Sequence, residues 1–186
     1  MTSDPSGLDQ TDLILVLLAA ETRDPSQRFR CDGITRLEKL LFLLSEEEEF
    51  KGFAGELAEP FTFEPYHYGP YSKQVYDAVD LLKALKLLGE RRVDVSTGLD
   101  LSEESETLDL EDFNDADNYV ERQLFLTDDG KAVAKLLSTR ISPKGKRMLT
   151  ELKNRFGRMP LRQLLRYVYS NHPKYAAKSR IRASLS

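Results

Sequence analysis

Cysteine and histidine are scarce in this chain of 186 residues, with one Cys, at position 31, and two His, at 67 and 172. A lone cysteine forms no internal disulfide, which agrees with a reducing compartment. Neither residue type clusters at the spacing that zinc requires. The two histidines stand far apart and Cys31 has no neighbour that marks a nucleophile, so a Cys-His pair would have to be assembled by the fold. Glycine-rich phosphate loops are missing as well: SPKGKR at 142–147 has the charge, but neither a preceding strand nor converging glycines. No apolar run exceeds the eight residues from Leu13 to Ala20, under half of the roughly 20 that span a bilayer. Asp4, Asp9 and Asp12 occupy the place of a secretory signal's basic flank. These absences point away from an enzyme, a metal or cofactor carrier and a membrane protein, and towards a cytoplasmic binding protein.

Charge is plentiful but unevenly placed. Residues 131–186 hold fifteen Lys or Arg and one acid, Glu151, whereas in residues 1–130 twelve bases face thirty acids. Such asymmetry suits a nucleic-acid surface, a surface for an acidic partner, or two parts of one molecule that attract each other. Between Thr97 and Glu121 there are ten acids and no Lys or Arg. That excess of one sign opposes compaction and reads as a loosely docked insertion, although Leu99, Leu101, Leu108, Leu110 and Phe113 argue that part of it packs on the body or on a partner.

Periodicity and capping signals divide the remainder. Thr11 is a candidate N-cap for an apolar helix over 12–22. Ile34, Leu37, Leu40, Leu41 and Leu44 form the stripe of a second helix, with Glu46 to Glu49 as its solvated end. Residues 61–68 suggest a short strand. Ser72 stands at an N-cap position before the stripe Val75, Val79, Leu82 and Leu85, with Gly89 as C-cap, so a helix is expected over 72–88. ERRVDVS and YVERQLFLT alternate like the strands of a hairpin that brackets the acidic stretch. Thr127 or Asp128 caps a helix carrying Val133, Leu136 and Leu137. Two further helices follow Ser142-Pro143 and Met159-Pro160. The fold expected is mainly α with a small β hairpin, a winged helix-turn-helix-like core plus C-terminal helices. Its parts are a loose N-terminus (1–10) and a single domain (11–182), with an acidic insertion (97–118) in the wing and basic C-terminal helices (142–182).

The motifs ITRLEKLLFLL, YHYGPYS, LTDDG and YVYSNHPKYAAKSRI, in that order over residues 34–181, resemble the Panacea, or SocA-like antitoxin, family of bacterial and archaeal proteins. The resemblance implies a mostly helical, winged-helix-like fold without enzymatic activity. It also implies a protein partner, since some members neutralise a toxin directly or hand it to a protease as an adaptor. This chain departs from the family pattern at Leu37-Glu38-Lys39, where Leu-Gln-Lys is expected, and in the length of its acidic insertion.

Two sets of residues are candidates for binding. Tyr66, His67, Tyr68 and Tyr71, with Lys73 beside them, could anchor a protein partner or stack on bases. The competing reading is a structural corner in which Gly69-Pro70 makes the bend, Tyr68 and Tyr71 pack inside and Ser72 caps the helix. Lys144, Lys146, Arg147, Arg155, Arg158, Arg162 and Arg166 form the second set, suited to phosphates. On the expected third helix Asp77 and Asp80 offset Lys73, which disfavours insertion into a DNA groove. The leading reading is a non-enzymatic, antitoxin-like module that recognises a protein, a toxin on the family's pattern. The alternative is a nucleic-acid-binding regulator whose acidic loop mimics its ligand, and the acidic insertion could also fold back on the basic helices with no ligand at all. Monomer and homodimer both stay open.

Overall fold

The computed structural model of the chain describes residues 7–67, 69–94 and 120–176. Tyr68, the 97–118 insertion, residues 1–6 and residues 177–186 lie outside them. The body is mostly helical with a small antiparallel sheet. Its first half runs α1 (Gln10–Ala19), β1 (Arg30–Asp32), α2 (Ile34–Glu46), β2 (Glu64–Tyr66), β3 (Gly69–Tyr71) and α3 (Lys73–Ala84). Then follow β4 (Leu88–Asp94), β5 (Val120–Leu126), α4 (Asp128–Ser138), α5 (Pro143–Phe156), α6 (Leu161–Asn171) and the single turn α7 (Pro173–Ala176). Among the described residues no helix is long and apolar enough to cross a membrane.

The strands pair in the order β1-β5-β4, all antiparallel. β4 and β5 are the anticipated hairpin, in register from Leu88↔Leu126 to Asp94↔Val120. β1 is not announced by the sequence: three residues, with Cys31 opposite Leu124, are too few to show alternation. A buried polar row ties the three strands together, with Arg91 and Asp32 both bonded to the Gln123 amide.

Several local expectations are corrected. Asp9, not Thr11, caps α1 in a reciprocal box with Asp12, while the Thr11 hydroxyl donates to Asp9. The helix therefore starts at Gln10 and stops at Ala19 rather than covering 12–22. Nor is the chain loose up to residue 10: Leu8 is buried and exchanges backbone hydrogen bonds with Glu56 and Ala58. The third helix spans Lys73–Ala84 and not 72–88. It ends as Lys86 turns into the left-handed region at φ 58°, which leaves Gly89 inside β4. Leu85 and Leu136, counted on their stripes as core residues, are exposed.

α1 is buried from Leu13 to Leu18, as its all-round apolar sequence requires. α2 is more deeply embedded than its stripe suggests: every residue from Thr35 to Leu44 is buried, including Arg36, Glu38 and Lys39. A buried charge without partners is strongly unfavourable, and each of these has found one. Arg36 donates to the Asp32 carbonyl and to the carbonyls of Gly157 and Met159 beyond the end of α5, which anchors that end against α2.

The LTDDG motif acquires a packing reason. The Thr127 hydroxyl accepts from the Gly130 N–H and itself bonds the carbonyls of Lys86 and Leu87, joining the start of α4 to the end of α3. A Cβ at position 130 would stand 2.0 Å from the Leu87 oxygen, so only glycine permits this approach.

Lys153 of α5 plays a comparable part at the end of α1. Its Nζ donates to the carbonyls of Leu18 (2.8 Å), Gln27 (2.9 Å) and Ala20 (3.4 Å), partners that α1's last turn and the following segment lack within the helix. Burial pushes its pKa down from 10.5 to about 8, against a smaller upward pull from Cys31. Between those values the unfolded chain binds a proton that the folded chain does not, so stability rises with pH through that window. Urea denaturation should show a gain of about 2 kcal/mol between pH 7.5 and roughly pH 9.5, which Lys153→Met abolishes. An equal rise in the variant would assign the effect to another group.

Candidate functional site

The stretch EPYHYGPYS folds as a two-stranded ribbon that delivers the chain into α3. Its register sets Glu64↔Tyr71, Pro65↔Pro70 and Tyr66↔Gly69. Gly69-Pro70 thus belongs to the returning strand and does not make the bend. Gly69 sits at φ +90°, where a side chain is strained, and a Cβ there would lie 2.7 Å from the Tyr169 ring of α6. Neither proline can donate to the ladder, and a ribbon this short is marginal by itself. Its support comes from below.

That support is a buried ion pair on α2. Lys39, 1% exposed, donates to Glu38 Oε2 at 2.6 Å and to the Pro70 carbonyl at 2.7 Å. The other carboxylate oxygen, Oε1, accepts the Ser72 N–H at 2.9 Å. Two adjacent charges on one helix therefore hold the corner by its backbone at Pro70 and Ser72. Ser72 occupies the N-cap position of α3 without doing what its type suggests: its hydroxyl makes no capping bond and is buried without a hydrogen-bond partner. The sequence shows LEK and GPYS as separate motifs, and only the fold brings them together.

Above this base the rings form a ladder. His67 meets Tyr66 at 4.4 Å between centroids, Tyr66 meets Tyr71 at 5.0 Å and Tyr71 meets Tyr76 of α3 at 5.4 Å, with the ring planes tilted by 42°, 35° and 39°. Each such contact stabilises by about 0.5–1.5 kcal/mol, so the rings are pre-ordered. Tyr66 is 46% exposed, while His67, Tyr71 and Tyr76 are partly covered. The Tyr71 phenol is shifted up, first by burial and then by Glu38, and stays neutral. Tyr76 is the member that the sequence reading missed, although its place one turn into α3, five residues after Tyr71, is the signal that could have found it. Tyr68 falls outside the described residues.

α3 carries no excess of positive charge. Lys73 is paired with Asp77 at 2.6 Å, which raises its pKa, while Asp80 offsets Lys83, itself paired with Glu90. Leu81 and Leu85 are 50% and 57% exposed. A helix meant for a phosphate-lined groove would carry a net positive face and fewer exposed leucines.

The basic candidates do not converge into one patch. Lys144 and Arg147 share an exposed stripe of α5 with Glu151, whereas Lys146 points to another side of the helix, beside Lys135. Arg155 pairs with Glu49 at 2.7 Å and lies over the rings of Phe156 and Tyr167. Arg158 pairs with Asp24 at 2.6 Å. Arg162 and Arg166 stand a turn apart on the exposed side of α6. The run Glu46 to Glu49, read above as a solvated helix end, supplies part of the counter-charge. Glu46 lies 3.6 Å from Lys174, Glu47 is 3.1 Å from His172 and Glu49 holds Arg155. His172 also stacks edge-on against Phe42 at 5.0 Å, which gives this histidine a packing role.

Cys31 is 3% exposed, with its thiol 3.7 Å from the Gly33 carbonyl. Among the described residues no group of three or more His, Cys, Asp or Glu side chains is placed to hold a metal ion. The aromatic ladder with its flanking helix face is therefore the site that the geometry favours.

If the ion pair carries the corner, Glu38→Leu should lower stability by about 3–5 kcal/mol, since it strands a buried ammonium. Glu38→Leu combined with Lys39→Met should cost clearly less than Glu38→Leu alone, because no unpaired charge then stays in the interior. Thermal unfolding of the two variants decides this, and equal losses would reject it.

No protein-family model, no curated protein and no solved structure matches the chain, so the reading of the site rests on its own chemistry.

Proposed function

We propose that the protein is a non-enzymatic binding module of the antitoxin-like kind, which recognises a protein partner through the aromatic corner and the outward face of α3. The observation that carries this is the set of mutually contacting, partly exposed rings of His67, Tyr66, Tyr71 and Tyr76 at the entry to α3, together with Leu81 and Leu85, exposed farther along that helix. Rigid tyrosines bring contact area at little entropic cost, and residues of this type dominate the energetics of protein interfaces. Lys73 and Asp77 supply a polar element of the same surface.

The element order supports a winged-helix reading of the body: helix, strand, helix, helix and hairpin, with the first strand beside the last. In that frame α3 is the helix that a DNA-binding relative would insert in the major groove. Here that helix has two Lys against two Asp, with no net positive charge, and two exposed leucines at its end, which favours a protein over a nucleic acid. Nucleic-acid binding through Lys144, Lys146, Arg147, Arg155, Arg158, Arg162 and Arg166 is the weaker reading, since at least Arg155 and Arg158 are engaged by carboxylates of the first half.

A photo-crosslinking side chain installed at Leu81 should trap a protein in cells, and Tyr66→Ala should reduce that adduct several-fold while the protein stays folded, its melting temperature falling by no more than the few degrees that its lost ring contacts imply. Fluorescence anisotropy should find no salt-sensitive affinity for duplex DNA. Strong salt-sensitive binding that Arg147→Glu and Arg166→Glu abolish would overturn the proposal in favour of the nucleic-acid reading.

A further inference from the structure

A second concavity, distinct from the aromatic corner, opens between the C-terminal half of α1, α4 and the first turns of α5. Its volume is about 680 Å³, within the usual range of small-molecule sites. The floor is apolar, formed by Val16, Phe29, Ile141 and Leu149. Around it stand four cations, Arg28, Lys131, Lys135 and Lys146, against one acid, Glu21.

Two of the four are partly committed. Arg28 lies 4.0 Å from Glu21, and Lys131 is 2.9 Å from Asp128. Lys135 and Lys146, contributed by different helices, have no ion pair among the described residues and are both exposed. Phe29 adds a second observation. It holds a positive φ of 68°, rare and strained for a bulky residue, and is fixed there by its N–H on the Leu18 carbonyl and its own carbonyl under the Leu126 N–H. In this position its ring lies under the Arg28 guanidinium, 4.9 Å from its centroid, and 5.6 Å from the Lys131 ammonium. Strain of this kind persists where the surroundings over-determine it, often where a ligand is held.

We propose that this cleft binds a small apolar carboxylate, a fatty-acid-like molecule whose chain lies on the Val16, Phe29, Ile141 and Leu149 floor and whose head group reaches Lys135 and Lys146. An inorganic anion would leave the floor unused, and a cationic amphiphile would meet four like charges. Removal of apolar surface from water supplies the affinity, and the ammonium groups select the sign of the head. None of these residues belongs to the aromatic corner, so the two sites stand or fall separately.

Isothermal titration with decanoate, kept below its micelle concentration, tests this on the full chain, with decyltrimethylammonium as the charge-reversed probe. Wild type should bind decanoate saturably and the ammonium compound much more weakly. Lys135→Glu combined with Lys146→Glu should weaken decanoate binding about tenfold or more, the effect of about 1.4 kcal/mol, with the melting temperature retained. Thr150→Trp, which narrows the cleft without changing charge, should weaken it too. No saturable binding by wild type, equal binding of the two probes, or decanoate affinity unchanged in the lysine variant would each overturn the assignment.

Discussion

Three charged side chains buried on one helix hold this molecule together. α2 lies in the centre of the body, and Arg36, Glu38 and Lys39 leave it in the interior, where an ion without partners would destabilise the fold by several kcal/mol. Each is satisfied mainly by backbone atoms of another segment: Arg36 by the chain beyond α5, Lys39 by Pro70, Glu38 by Ser72. Lys153 repeats the device from α5 towards the end of α1. Such contacts are directional, unlike apolar packing, so they specify which segment lies where as well as adding to its burial.

The surface inherits its order from that interior. Because the Glu38-Lys39 pair grips the backbone of 70 and 72, the corner is held without its rings entering the core, and the tyrosines contact one another at a partly exposed surface. Gly69 lets Tyr169 close over the ribbon from the other side. A rigid platform of aromatic rings results, held by bonds that do not involve the rings. The corner thus divides by atom: its backbone is held from the interior, and its rings are partly exposed, Tyr66 the most.

The charge asymmetry of the chain has a similar outcome. Acids of the first half, at Asp24, Glu46, Glu47 and Glu49, meet the basic C-terminal helices and the adjacent His172. Exposed pairs of this sort stabilise by about 0–1 kcal/mol each, but together they align α5 to α7 along the end of α2. The attraction between oppositely charged parts that the composition implies is therefore present, with the four-glutamate run as an acidic partner. The remaining cations fall on separate faces, and two of them border the cleft beside α1.

Helices with a clear stripe or an all-round apolar run, the β4-β5 hairpin, the start of α5 after Ser142-Pro143, and the α4 cap as one of two adjacent residues were legible from residue order alone, because local periodicity and capping chemistry act within a few residues. So was the aromatic corner as a place of interest. What lay beyond reach involved partners far apart in the chain. β1 exists because β5 accepts it, and Gly89 is a strand residue because Lys86 ends the helix first. Ser72 makes no cap because Glu38 takes its N–H, Tyr76 completes a ladder begun ten residues earlier, and the cleft needs three helices to form. Residue order determined which segments become helix or strand and where charge is concentrated; only the tertiary structure decided which buried ion meets which backbone, since that choice depends on distances between segments that no local pattern encodes.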